Sequence, residues 1–124
     1  MEPKTVIAIL RALAQDTRLA IYRLLVRQGD VGLAAGRIGA ALSLAPATLS
    51  FHLRELSQAG LIRARQQSRF IYYSADRAAL KNLLRYLAES CLHSSEALQE
   101  MEPQIPLALP PTAKPVVRPK TRVA

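Results

Sequence analysis

The sequence predicts a mainly α-helical domain carrying one small β-hairpin, and three observations carry that expectation. Apolar residues recur at helical spacing through most of residues 1–102. One pair of short runs rich in β-formers, Leu61-Ile62-Arg63-Ala64-Arg65 and Phe70-Ile71-Tyr72-Tyr73, is separated by Gln66-Gln67-Ser68-Arg69. Six of the eight prolines fall in residues 103–124. Proline removes backbone donors and favours extended chain, so that stretch is predicted to be a disordered, Pro-rich basic tail outside the fold. The expected organisation is one domain over 1–102 followed by the tail at 103–124.

The elements follow in order. Ile7, Leu10, Leu13 and Ala14 keep helical spacing and predict a first helix near 4–14. Asp16 offers an N-cap for a second helix, Leu19, Leu24 and Leu25 give it an apolar face, and Gly29 ends it. A third helix fits 34–42 with Ile38 and Leu42 buried, although Gly36 and Gly39 lower its intrinsic propensity. A fourth runs from Pro46 to Ala59: proline suits the first helical position and Gly60 a left-handed C-terminal cap. The hairpin comes next. Asp76 then caps a last helix expected to reach about Met101, with Leu80, Leu84, Leu87, Cys91 and Leu98 along one stripe.

Two short helices joined by a tight turn, the second amphipathic, followed at once by a basic hairpin, make a winged helix-turn-helix. In the fourth helix Leu49, Leu53 and Leu56 form the buried stripe, which sets Thr48, Ser50, Phe51, His52 and Arg54 at or near the outer face. Thr48, Ser50 and His52 are short or flat hydrogen-bonding groups, and Arg54 is long enough to reach a base edge or a phosphate. Such residue types on a recognition helix read base edges in the major groove of duplex DNA. The hairpin tip offers Arg65, Gln66, Gln67, Ser68 and Arg69 to phosphates or a minor groove.

Composition agrees with a polyanionic partner. The formal charge is +8, with 13 Lys/Arg against nine Asp/Glu in 1–102 and four unopposed cations, Lys114, Arg118, Lys120 and Arg122, in the tail. No apolar run approaches the roughly 18 residues of a membrane helix, and Met1-Glu2-Pro3-Lys4 does not open a secretory signal. The single cysteine excludes an internal disulfide framework and fits a reducing cytoplasm. Two histidines, one cysteine and no phosphate-binding glycine motif give no nucleophile–base–orienter set, so no enzymatic role is expected.

Asp16-Thr17-Arg18-Leu19, then Pro46-Ala47-Thr48-Leu49-Ser50-Phe51-His52-Leu53-Arg54-Glu55-Leu56, then Ala59-Gly60-Leu61-Ile62, resemble the signature of the ArsR/SmtB repressors, and the Leu-Ser-Phe-His-Leu-Arg-Glu-Leu run resembles its arsenic-responsive members. The resemblance covers roughly residues 5–92. It implies a homodimer built from the first and last helices, repression by binding an operator, and release by an inducer. Two departures are local: Ser68 stands where the family's wing turn usually has glycine, and Ala45 precedes Pro46 where serine would cap the helix.

The inducer site departs further. Many arsenic repressors carry Cys-Val-Cys at the start of the third helix, whereas Val31-Gly32-Leu33-Ala34-Ala35 has no cysteine. Zinc-type members pair Asp-x-His with His-x-x-Glu. Here His93 and Glu96 supply the second half, but Leu80 and Asn82 stand where the first would be. Cys91 remains, with two readings. It is a thiolate that meets its copy near a dimer axis and takes arsenite or another thiophilic ligand, or it is a small apolar residue continuing the stripe. The function classes left open are an inducible repressor, a constitutive or redox-responsive one, and a protein-interaction module of the same fold.

Overall fold

The computed structural model describes residues 1–92. Five helices and a three-stranded antiparallel sheet surround one core: α1 (Pro3–Leu13), α2 (Asp16–Gln28), a short 3₁₀ turn (Gly29–Val31), β1 (Leu33–Ala34), α3 (Ala35–Leu42), α4 (Pro46–Gln58), β2 (Ile62–Gln67), β3 (Phe70–Ala75) and α5 (Arg77–Cys91). The fully buried side chains Ile9, Ile21, Leu25, Ile38, Leu56 and Leu61 come from α1, α2, α3, α4 and the link into β2. Each removes an aliphatic side chain from water, worth about 1.5–3 kcal/mol.

α1 starts one residue before the expected position and buries a different face. Val6, Ile9 and Ala12 enter the core, while Ile7 and Leu10 of the anticipated stripe are exposed. The helix is apolar on two sides, so helical spacing alone admits both stripes. The N-cap of α2 is Gln15, whose Oε1 accepts from the Arg18 amide at 2.9 Å, and Asp16 is the first helical residue. In α2 the buried residues are Ile21, Tyr22 and Leu25, with Leu19 exposed. Tyr22 donates its hydroxyl to the Asp76 carbonyl at 3.3 Å, and burial, with a smaller contribution from the Asp76 charge, pushes its pKa up to about 12.

α3 and α4 form the helix-turn-helix. Ser43 sits at φ 55°, ψ 49° and ends α3, with the Leu44 amide donating back to the Gly39 carbonyl at 2.9 Å. A side chain at Gly39 would lie 3.3 Å from both the Leu44 carbonyl oxygen and a Leu49 methyl, so this weak helix former buys the close approach of the two helices. α4 begins at Pro46 and has no side-chain cap, Ala45 being unable to supply one. It ends in a Schellman motif: Gly60 donates to the Ser57 carbonyl and Leu61 to that of Leu56, both at 3.0 Å, with Leu56 and Leu61 fully buried.

The expected hairpin is present, longer than its sequence signal, and β1 adds a third strand in the order β1-β3-β2. Gln67 pairs with Phe70, leaving Ser68-Arg69 as a two-residue turn with Ser68 at φ 61°. Positive φ at the first turn residue alone is the sign pattern of a type II′ turn, where glycine is favoured. Asp76 caps α5 by accepting from the Ala79 amide at 3.3 Å. As described, α5 ends at Cys91, short of the anticipated Met101; residues 93–101, Leu98 among them, and the tail lie outside the described residues. Its buried positions are Leu83 and Ala88, and Leu80, Leu84 and Leu87 are half-buried.

Candidate nucleic-acid interface

α4 buries Leu49, Leu53 and Leu56, as its spacing requires. At about 100° per residue, positions 47, 51, 54 and 58 then point away from the core, flanked by 48 and 50. Ala47, Thr48, Ser50, Phe51, Arg54 and Gln58 are all exposed. Thr48, Ser50 and Arg54 therefore give the exposed side of α4 polar and cationic groups. The first turn, with no side-chain cap, leaves amide N–H groups open to an anion.

His52 is a correction. It is only 8% accessible and does not lie on the outer face. Arg18 of α2 explains this: its Nη1 lies 3.3 Å from His52 Nδ1, and its Nε donates to the Ala12 carbonyl at 2.7 Å. A guanidinium has only donors, so Nδ1 accepts and the neutral ring carries its proton on Nε2. Burial first, then the Arg18 charge, depress the His52 pKa, with Glu55 opposing. Arg18 thus joins the end of α1, the start of α2 and the middle of α4. The Asp16-Thr17-Arg18 segment was visible in the sequence, but no spacing rule assigns Arg18 a partner 34 residues away.

The wing positions Arg65, Gln67 and Arg69 differently. Arg65 lies over the Tyr72 ring, 5.3 Å from its centroid, and donates to the Val31 carbonyl at 3.3 Å and to Gln67 Oε1 at 3.4 Å. It braces the wing against the loop before β1, and Gln67 shares that bracing. Arg69 is exposed in the turn, and Arg63, Arg65 and Gln67 lie on the outward face of β2. Cys91 is exposed at the end of α5. Among the described residues no three His, Cys, Asp or Glu side chains come together to hold a metal ion, and no helix is long and apolar enough to cross a membrane. His93 and Glu96 lie outside the described residues.

Residues 13–65 match the model of a helix-turn-helix domain family. The chain is 31% identical over 94 residues to a cadmium resistance transcriptional regulatory protein homolog from Staphylococcus aureus, covering 76% of this chain and 74% of that protein. The chain belongs to the ArsR/SmtB family. Solved structures share the fold. An ArsR-like transcriptional regulator from Rhodococcus sp. RHA1 has a TM-score of 0.66 at 23% identity, over 82% of this chain and 92% of that one. A homodimeric winged helix-turn-helix DNA-binding domain from Mycobacterium bovis has a TM-score of 0.58 at 24% identity, over 82% of this chain and 83% of that one. As an ArsR/SmtB member the chain is a DNA-binding transcriptional regulator.

Proposed function

We propose that this ArsR/SmtB protein is a cytoplasmic repressor that binds an operator in duplex DNA as a homodimer and is released by a thiophilic inducer acting at Cys91. The observation that carries the DNA reading is the exposed set Thr48, Ser50 and Arg54 on α4 beside a wing with Arg63, Arg65 and Arg69. Thr48, Ser50 and Arg54 address base edges. Arg65, Gln67 and Arg69 contact the phosphates or the minor groove, with Arg65 and Gln67 also holding the wing in shape. His52 supports α4 from within.

Dimerisation is supported by apolar surface left on the first and last helices. Ile7 and Leu10 of α1 and Leu92 after α5 are exposed, and Leu80, Leu84 and Leu87 are half-buried. A second copy covering them returns that surface to an apolar environment. The relative from Mycobacterium bovis is homodimeric. Cys91 belongs to the same region and is accessible, so two copies can supply two thiolates, the donors that trivalent arsenic and other soft ions favour.

Fluorescence anisotropy on DNA from upstream of the gene tests the whole reading, with and without arsenite, for the native chain and Cys91→Ser. The expected result is tight specific binding that arsenite reverses only when Cys91 is present. Binding indifferent to arsenite keeps the repressor and removes this inducer. Sedimentation is expected to give a dimer mass, and a monomer at every concentration contradicts the homodimer.

A further inference from the structure

Phe51 is the one large apolar side chain on the outer face of α4, and it is 48% exposed. Its helical neighbours three residues either way are Thr48 and Arg54, with Ser50 beside it. The ring is not loose. It meets the His52 ring edge-on, with centroids 5.3 Å apart and planes at 64°, and His52 is in turn fixed through Nδ1 to Arg18. A chain of contacts from the Ala12 carbonyl through Arg18 and His52 therefore sets the pose of an exposed phenyl group at the centre of the face.

A phenyl ring neither donates nor accepts hydrogen bonds, so it does not read the donor–acceptor pattern of a base edge. In the major groove the apolar group that B-DNA displays is the C5-methyl of thymine. We infer that Phe51 is a specificity residue that reads this methyl, selecting thymine at one position in each half-site of the operator. The inference rests on α4 entering the major groove, as proposed above, and names what that face selects. Charge favours DNA as the occupant over a second copy: Arg54 adjoins the ring, the wing adds Arg63, Arg65 and Arg69, and another copy of this chain is itself strongly cationic at +8. Thr48 and Arg54 flank the ring to fix register, and Phe51 adds discrimination that hydrogen bonding to the same edge does not supply.

Deoxyuridine tests this directly, because it pairs as thymidine does and lacks only the methyl. Each thymine of a footprinted operator half-site is replaced in turn, and anisotropy titrations compare the native chain with Phe51→Ala, whose helical content is checked by circular dichroism. For the native chain, one position is expected at which deoxyuridine weakens binding about fourfold, the value of one buried methyl. Phe51→Ala is expected to bind the thymine operator more weakly and to treat thymine and deoxyuridine alike there. Specific operator binding by the native chain with no methyl dependence at any position overturns the inference and leaves the repressor intact. A Phe51→Ala protein that keeps the methyl dependence but loses its dimer mass also overturns it, making Phe51 a contact between copies. Absence of any sequence-specific binding removes the operator reading itself, a separate and recognisable failure.

Discussion

Arg18→Ala removes a side chain whose polar contacts link α1, α2 and α4. Two hydrogen bonds go with it, the 2.7 Å bond from Nε to the Ala12 carbonyl and the 3.3 Å contact with His52 Nδ1. A bond involving a charged partner contributes about 1.5–3 kcal/mol when well made, and the His52 acceptor left behind is nearly buried. The longer contact earns less, and Arg18 itself is half-exposed, so the expected loss is about 2–3 kcal/mol in all. For a domain of this size that is a fall in Tm on the order of 10–20 °C, measurable by calorimetry. A pH series separates this account from a general packing defect. The folded His52 pKa lies below the ordinary 6.5, so below pH 6.5 the unfolded chain binds a proton that the folded one refuses. That part of the stability is complete above pH 6.5 and is lost as pH falls from 6.5 towards the depressed folded value. Removing the Arg18 charge deletes the second cause of the depression and leaves burial, so the acid-side slope is expected to shrink without vanishing. A variant within 1 kcal/mol of the native stability, with an unchanged acid-side slope, refutes the reasoning.

Three further outcomes follow from single positions. Ser68→Gly is expected to stabilise the domain by up to about 1 kcal/mol in urea titration, because the wing turn holds Ser68 at φ 61°, and a loss of stability contradicts that reading. Ala45→Ser is expected to add about 1 kcal/mol by capping α4, since Ala45 already has the extended backbone of an N-cap; no gain means that water satisfies those amides equally well. Tyr22 stays protonated in the fold to about pH 12 while the unfolded chain ionises near pH 10, so stability held below pH 10 is lost between pH 10 and 12. The loss expected is roughly 2–3 kcal/mol, and Tyr22→Phe is expected to lack that alkaline component; identical alkaline slopes refute it.

The parts of the fold that local chemistry dictates were legible in the sequence. α4 announces itself because Pro46, the Leu49/Leu53/Leu56 spacing and Gly60 each act within one helix, and the wing because its β-formers flank a short polar turn. Ser68 and Ala45 stood out as departures at the two positions where the structure shows a strained φ and a missing cap. What stayed hidden depends on partners distant in sequence. The core face of α1 is chosen by what α2 and α4 present, and a helix apolar on two sides carries no mark of that choice. His52 looks like a polar surface residue until Arg18 supplies its acceptor with a donor. β1 is two residues long and exists only by pairing with β3. Arg65 reads as a free cation, yet the Tyr72 ring and the Val31 carbonyl engage it.

The central claim is that the outer face of α4 specifies DNA sequence while the wing positions the protein on it. Its most direct test is a salt titration of operator affinity against an unrelated duplex, for the native chain, Arg54→Ala and Arg69→Ala. Arg54→Ala is expected to cost about 1–3 kcal/mol on the operator and to narrow the gap to unrelated DNA, and Arg69→Ala to weaken both duplexes alike and lower the salt slope by about one. Equal affinity of the native chain for operator and unrelated duplex at every salt concentration, or an Arg54→Ala protein indistinguishable from it on both, contradicts the claim.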